Sequence, residues 1–302
     1  MQTIEAYEKD IFLQEKFLKK IKLKKPLSEN AQKNTIFCGT GDSFAAALLA
    51  ETHSKYAVKA FDPLDLLKNK SLLQKNEVYI ISISGKTISN IKVGRLARKS
   101  IAITSNPKSK LGKTCKHVIS LKFPNSDVFT AGSISFLDSA LTCISLIKKL
   151  KIQNPNKIFK EAEKQSLKIK LGKKVFFLGD LYTYPIAMYA AAKIFEILGI
   201  TAFYERLEQF SHMELFSTAP GDTVIIFEQK NLHNSRLKQN LKKAGIKVIH
   251  PTLRNPDKIS EFLFYIFFSQ LVPLNIAKEN KQKECHFVTS KKLRKISDNM
   301  IY

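Results

Sequence analysis

Short runs of β-branched and aromatic residues alternate with helix-forming segments along most of this chain, and no other feature constrains its fold as strongly. The runs are almost free of charged residues, which is typical of strands buried on both faces of a sheet. Strands are predicted at 35–39, 77–84, 100–106 and 116–123, and helices at 3–24, 42–53, 88–99 and 133–150. This order predicts an α/β fold with a parallel sheet covered by helices on both sides.

The same order of segments begins again after residue 173. Strands are predicted at 174–180, 201–208, 222–229 and 247–252, with helices at 185–198 and 232–244. The two passes match in pattern more than in identity, which indicates a diverged internal duplication. We therefore predict two tandem modules, residues 1–150 and 151–302, each a doubly wound parallel sheet in three αβα layers. The polar segment 148–174 is predicted to be a partly helical connector.

Several classes of protein are disfavoured by local patterns. The longest apolar run, 262–274, is shorter than a membrane span and is predicted to be a buried helix. The amino terminus lacks the charge-then-apolar order of a signal peptide, so we expect a cytoplasmic protein. The four cysteines are scattered and the histidines show no ligand spacing, so we expect neither a disulfide framework nor a metal site.

The charge of the chain is strongly basic, at +24, with 50 Lys and Arg residues. Only six of these are Arg, whereas proteins that read nucleic acids use Arg heavily because its planar group binds two oxygens at once. The lysines are also spread over the whole chain. Solvated helix faces therefore explain the charge better than nucleic-acid binding does, and the same charge attracts small phosphorylated metabolites.

Glycine and hydroxyl residues follow the first two strands at the points where helices begin. The motif GTGDS follows the first strand and S-x-S-G-x-T follows the second. Glycines let main-chain N–H groups approach an anion, and a helix amino terminus adds partial positive charge. The alternative is a tight turn with serines that cap helices. Neither a P-loop lysine nor a GxGxxG motif is present, so the pattern favours a monophosphate, and its predicted ligands are Gly39, Thr40, Gly41, Ser43, Ser82, Ser84 and Thr87.

With these motifs, the sequence resembles the sugar isomerase (SIS) superfamily over most of its length. Segment 191–212 resembles the Lys-x-x-Glu helix and the Glu-x-x-His segment in the isomerase part of glucosamine-6-phosphate synthase, and 287–297 resembles the Leu-x-Lys tail that follows there. The resemblance implies that Glu196 is the catalytic base, that His212 opens the sugar ring and that Lys295 contacts the sugar carbonyl. It also extends to the archaeal phosphoglucose/phosphomannose isomerases, which have a similar length.

The chemistry of the three side chains agrees with these roles. Aldose–ketose interconversion needs a base between C1 and C2, and apolar neighbours can raise the pKa of a carboxylate such as Glu196 toward neutrality. Histidine exchanges protons near pH 7, and lysine stabilises an oxyanion or forms an imine. Each residue also has an ordinary alternative as a solvated or structural side chain.

Departures from the family pattern bear on the substrate. Lys86 stands where the SGET form has an acid, Gln209 stands where a Glu precedes the histidine, and Met213 replaces a glycine. Segment 130–133 (TAGS) is a candidate for lining the sugar. We expect no cofactor and no glutaminase activity.

Three functions stay open at this stage. The first is a phosphosugar isomerase acting on a hexose 6-phosphate, with a small-molecule phosphosugar as its partner. The alternatives are a glucosamine-6-phosphate deaminase and a phosphosugar sensor without catalysis. The resemblance implies a homodimer in which His212 reaches the neighbouring site, and we expect no membrane partner and no nucleic acid.

Overall fold

All nine strands of the chain lie in two parallel sheets. A computed structural model describes residues 1–302. The strands are β1 Thr35–Cys38, β2 Lys59–Phe61, β3 Glu77–Ile81, β4 Lys99–Thr104, β5 His117–Ser120, β6 Lys174–Leu178, β7 Thr201–Glu205, β8 Thr223–Ile226 and β9 Lys247–Ile249.

Fifteen α-helices and one 3-10 turn, Glu214–Ser217, accompany the strands. The helices are α1 Thr3–Leu18, α2 Glu29–Lys33, α3 Asp42–His53, α4 Pro63–Lys68, α5 Lys70–Lys75, α6 Ile88–Leu96, α7 Lys110–Thr114, α8 Ile134–Ser145, α9 Pro155–Ser166, α10 Tyr184–Leu198, α11 Leu207–His212, α12 Leu232–Lys243, α13 Lys258–Glu279, α14 His286–Thr289 and α15 Lys291–Ile301. The prediction of parallel sheets flanked by helices is confirmed.

The first sheet has the strand order β2-β1-β3-β4-β5, and the second has the order β7-β6-β8-β9. In the first, Cys38 pairs with Ile80, so β1 and β3 end side by side. In the second, Leu178 pairs with Ile226, so β6 and β8 end side by side. The first strand of each sheet, β1 or β6, lies between the next two strands of the chain, so the strand order reverses at that strand. A reversal of strand order places a crevice at the carboxyl ends of the neighbouring strands, here β1 with β3 and β6 with β8.

The chain forms two compact units. The first-sheet unit comprises Lys20–Pro124, Ile134–Leu150 and Lys291–Tyr302, and the second-sheet unit comprises Met1–Lys19, Asn125–Ser133 and Lys151–Ser290. The core of the first-sheet unit includes the strand residues Ile36, Val78 and Ile80, all at most 2% exposed.

The core of the second-sheet unit is built around α13. This helix has 22 residues, longer than the predicted run 262–274, because polar residues at both ends continue it. Its length and mean hydropathy of 1.4 match those of a membrane span, but 83% of that stretch is buried inside the protein. Edge-to-face and stacked rings such as Phe159–Phe267 and Phe227–Tyr265 pack it, which identifies α13 as a core helix.

Candidate functional site

The corner between β1 and α3 is shaped by a close approach of main chain to main chain. A Cβ atom on Gly39 would lie 2.7 Å from the carbonyl carbon and oxygen of Ser43, so no other residue fits there without a shift. Gly41 has a φ of +56° and is the N-cap residue of α3. The glycines of GTGDS are therefore required by the backbone, and they bring the start of α3 close to the end of β1.

The corner between β3 and α6 holds the predicted hydroxyl residues in a loop that is fixed by its own hydrogen bonds and by contact with Ser109. The Ser82 hydroxyl accepts the Gly85 N–H at 3.2 Å, and the Ser84 hydroxyl accepts the Lys86 N–H at 3.3 Å. Gly85 has a φ of +64°, and a Cβ there would lie 2.0 Å from Ser109 Oγ. Sequence reasoning did not anticipate Ser109, because its role depends on the packing of the loop after β4.

The helices that start at these two corners lack side-chain caps. Gly41 has no side chain to offer α3, and the Thr87 side chain makes no capping bond to α6. Ser28, Asp62 and Ser109 cap α2, α4 and α7 with side-chain oxygens, whereas α1, α5, α9 and α10 also lack a side-chain cap. Neither N-cap residue therefore caps its helix through a side chain, while the Ser43 and Phe44 N–H groups of α3 donate to the main-chain carbonyls of Thr40 and Gly41. A helix amino terminus without a side-chain cap can offer its positive end to an anion.

All seven predicted phosphate ligands lie in these two corners, after the neighbouring strands β1 and β3. Ser82 and Thr87 are buried, while Thr40, Ser43 and Ser84 are half-buried and Gly41 is exposed. The arrangement can present hydroxyls and main-chain N–H groups to a phosphoryl group at the carboxyl edge of the first sheet.

Glu196 lies in the second-sheet unit on α10, where it forms an ion pair with Lys193 one turn earlier. The Lys193 side chain is fully buried, whereas the Glu196 side chain is 36% exposed. A buried ammonium group is costly unless it is paired, so this carboxylate offsets the burial of the cation. The pair thus places a cation behind this partly exposed carboxylate, and not only the apolar neighbours that the sequence suggested.

Tyr189, Tyr7 and Cys285 interact with this pair within the second-sheet unit, and Gln270 donates a hydrogen bond to the Tyr189 hydroxyl. Tyr189 lies one turn before Lys193 on α10, Tyr7 comes from α1, and Gln270 comes from α13. Burial raises the pKa of the Tyr7 hydroxyl well above its usual value, with a further contribution from Tyr189. Burial also raises the pKa of the Cys285 thiol, so we expect both groups to be neutral at pH 7.

The side chains of His212 and Lys295 are both exposed, on α11 and α15. His212 is the last residue of α11, and its Nε2 lies 3.2 Å from Oε1 of Glu208 one turn earlier, with both side chains more than two-thirds exposed. Lys295 lies on α15, all of whose residues are exposed. The structure gives His212 a carboxylate partner of the kind that orients a histidine for proton exchange.

The corner between β6 and α10 in the second-sheet unit has the same close approach of a glycine to the main chain as the corner after β1. A Cβ on Gly179 would lie 2.7 Å from the carbonyl carbon and oxygen of Thr183, and Leu181 has a φ of +48°. Here, however, a carboxylate of the protein is bound at the corner. Glu228 Oε1 accepts the Asp180 N–H at 3.1 Å and the Thr183 hydroxyl at 2.6 Å. Burial raises the pKa of Glu228, which these two hydrogen bonds partly offset.

Two other features bear on the choice of site. A polar cleft of about 340 Å³ is lined by residues such as Asn34, Asn76 and Lys99 at the amino ends of β1, β3 and β4. Because ligands of open α/β sheets bind at the carboxyl ends, we assign the site to the corners and not to this cleft. His, Cys, Asp and Glu side chains form no cluster of three or more that could hold a metal ion.

Lys193 is the residue that sequence reasoning left out of its list of functional residues. Tyr189, Lys193 and Glu196 are spaced at i, i+4 and i+7, which places them on one face of a helix. A lysine in the otherwise apolar stretch before Glu196 was the available signal. Its complete burial depends on α1, α13 and the segment before α14, which local sequence does not reveal.

No family model and no curated protein sequence matches this chain. Solved structures do share its fold. Glucosamine-6-phosphate deaminase from Thermotoga maritima is 18% identical with a TM-score of 0.72, over 92% of this chain and 95% of that chain. Tagatose-6-phosphate ketose/aldose isomerase from Escherichia coli is 15% identical with a TM-score of 0.66, over 92% and 90%.

The C-terminal domain of glucosamine-fructose-6-phosphate aminotransferase from Francisella tularensis is 18% identical with a TM-score of 0.64, over 91% of this chain and 93% of that domain. At these identities the likeness concerns the fold. The chain therefore has the α/β fold of proteins whose names refer to phosphosugars.

Proposed function

We propose that the protein is an aldose–ketose isomerase of a hexose 6-phosphate such as glucose, mannose or fructose 6-phosphate. The observation that carries this proposal is the Lys193–Glu196 pair, because it holds a partly exposed carboxylate in one position, from which it can accept a proton from a bound substrate. The fold shared with phosphosugar proteins supports a phosphorylated sugar as the substrate class.

In the proposed mechanism, the two uncapped corners after β1 and β3 bind the phosphoryl group through main-chain N–H groups and hydroxyls. His212 exchanges protons with the ring oxygen and the anomeric hydroxyl, which opens the ring. Glu196 removes the proton from C2 of the open-chain aldose, which leaves an enediolate. The hydroxyl proton passes from O2 to O1, and Glu196 returns its proton to C1 to give the ketose. The Lys295 ammonium group stabilises the negative charge that develops on the carbonyl oxygen. The proposed mechanism uses no cofactor.

We also propose that the two sheets are diverged copies of one SIS module, with residues 1–150 and 151–302 as the two halves. The shared strand order and the matched glycine corners at Gly39 and Gly179 support this. Glu228 stands at the strand end that corresponds to Ser82, and it already supplies the second corner with an anion. We therefore expect one phosphate site per chain, formed by the first sheet.

A homodimer belongs to the same proposal, since SIS proteins commonly build their sites from two chains. The high exposure of His212 leaves its side chain available to a neighbouring site. Mixing inactive Ser84→Ala and His212→Ala chains is expected to restore part of the activity. Sedimentation as a monomer, together with no restored activity, would contradict the dimer. A cytoplasmic location stays a prediction.

The test of function is incubation of the protein with fructose 6-phosphate, mannose 6-phosphate and glucosamine 6-phosphate, followed by sugar analysis and an ammonia assay. We expect aldose and ketose products to interconvert without release of ammonia. Ammonia from glucosamine 6-phosphate would replace the isomerase with the deaminase alternative. Binding of a sugar phosphate without turnover of any would favour a sensor.

A further inference from the structure

We propose that Tyr189 is a positioning residue with two separable roles, one through its ring and one through its hydroxyl. The ring stabilises the buried Lys193 cation that supports the base Glu196, and the hydroxyl fixes segment 130–133. The functional part of this inference rests on the proposed isomerase. The electrostatic part does not depend on activity.

The first role follows from the position of the ring. The Lys193 ammonium nitrogen lies 5.0 Å from the centroid of the Tyr189 ring, and both side chains are fully buried. A cation over an aromatic face is attracted by the ring quadrupole, and the attraction is strongest where water is excluded. The ring therefore helps to keep Lys193 charged and in place behind the Glu196 carboxylate.

The second role follows from the hydrogen bonds of the hydroxyl. It donates to the carbonyl oxygen of Gly132 at 2.7 Å and accepts the Gln270 side-chain amide at 3.0 Å. Gln270 in turn accepts the Gln14 amide at 2.6 Å, so the donor direction along this buried chain is fixed. The Tyr189 proton is thus committed to Gly132, next to Ser133, whose buried hydroxyl has no hydrogen-bond partner in the protein.

Segment 130–133 is a candidate for lining the sugar, and the buried Ser133 hydroxyl in it has no hydrogen-bond partner in the protein. The position of this segment therefore decides whether that hydroxyl can reach the substrate. Removing the Tyr189 hydroxyl would leave the Gly132 carbonyl and the Gln270 amide each without this partner. We therefore expect the hydroxyl to affect substrate binding. The ring, in contrast, acts on the ionisation of Glu196 through Lys193.

Two further titratable side chains interact electrostatically with this pair. They are Tyr7 on α1 and Cys285, the residue before α14, and each interacts with Lys193 or Glu196. Both have raised pKa values because they are buried. They stay neutral through the pH range in which a carboxylate titrates, so they do not account for a shift of Glu196.

The experiment compares Tyr189→Phe with Tyr189→Leu. Tyr189→Phe keeps the aromatic face, so we expect KM to rise about 10-fold for the loss of a buried hydrogen bond, with little change in kcat or in the acidic limb of the pH profile. Tyr189→Leu removes the aromatic ring as well as the hydroxyl. The acidic limb of kcat/KM should then move about 1 pH unit upward, because a Lys193 ammonium group that the ring no longer holds lies farther from Glu196 and lowers its pKa less.

A second measurement makes the inference independent of turnover. Carbon NMR of labelled glutamate, assigned with Glu196→Gln, follows the ionisation of Glu196 directly. Its midpoint should rise in Tyr189→Leu and stay unchanged in Tyr189→Phe and in Met188→Ala, a packing control on the same helix. Equal shifts in all three variants, or no shift in Tyr189→Leu, would overturn the role of the ring even if the protein is not an isomerase.

Discussion

Glu196→Gln is expected to lower kcat by about 10²–10⁴-fold, the range typical of a lost general base, while the affinity for a sugar phosphate changes less than about threefold. The amide keeps an oxygen that can accept a hydrogen bond from the buried Lys193, but it cannot take a proton from C2. Steady-state kinetics with fructose 6-phosphate and calorimetric binding of the same compound measure the two quantities separately.

A matched control is Glu279→Gln, an exposed glutamate at the end of α13. It makes the same change in charge and should leave both quantities as they are. A thermal melt of each variant shows whether the protein is folded, since Lys193 loses its anionic partner. Unchanged kcat in folded Glu196→Gln, or a large loss of affinity with little loss of kcat, would show that Glu196 is not the base.

Gly39→Ala has the second large expected effect, on phosphate binding. The new methyl group would lie 2.7 Å from the main chain of Ser43, so the start of α3 must move away from the end of β1. Losing two charge-assisted hydrogen bonds to a phosphoryl group, at about 1.5–3 kcal/mol each, corresponds to at least about 100-fold weaker binding. Titration with inorganic phosphate followed by phosphorus NMR measures this without involving the sugar.

The matched control is Gly179→Ala, which creates the same 2.7 Å clash against Thr183 in the second-sheet unit. Both variants should lose roughly 1–3 kcal/mol of unfolding free energy, because both overpack an equivalent corner. Only Gly39→Ala should lose phosphate affinity. Equal losses of affinity in the two variants would mean that destabilisation, and not the first corner, explains the result.

The regular elements were predictable where local pattern and tertiary packing agree. Helix α3 begins and ends at the predicted residues 42 and 53, and the strands around 35–38 and 77–81 were found because unbroken β-branched runs are distinctive. The predicted helix 3–24 ends at Leu18, since Ile21 and Leu23 alternate with lysines beyond it and do not continue the helical spacing of its apolar residues. Strand β2 was missed because three residues are too few to show a period.

The candidate site was predictable only in part. Gly39, Ser43, Ser84 and Thr87 stand out because glycine and hydroxyl residues are unusual at the ends of buried strands. The role of the Tyr189 hydroxyl depends on partners more than 50 residues away, Gly132 and Gln270. Contacts of that range leave no local pattern, so the hydrogen bonds of Tyr189 could be found only from the structure, whereas the spacing of Lys193 and Glu196 is visible in the sequence.

The most direct test of the account is a crystal structure of the protein with fructose 6-phosphate. We predict that the phosphoryl oxygens lie within hydrogen-bond distance of the Ser43, Ser84 and Thr87 hydroxyls and of the first N–H groups of α3 and α6. A phosphoryl group bound at the corner of Gly179 and Glu228, or in the polar cleft at the amino ends of the strands, would contradict the account.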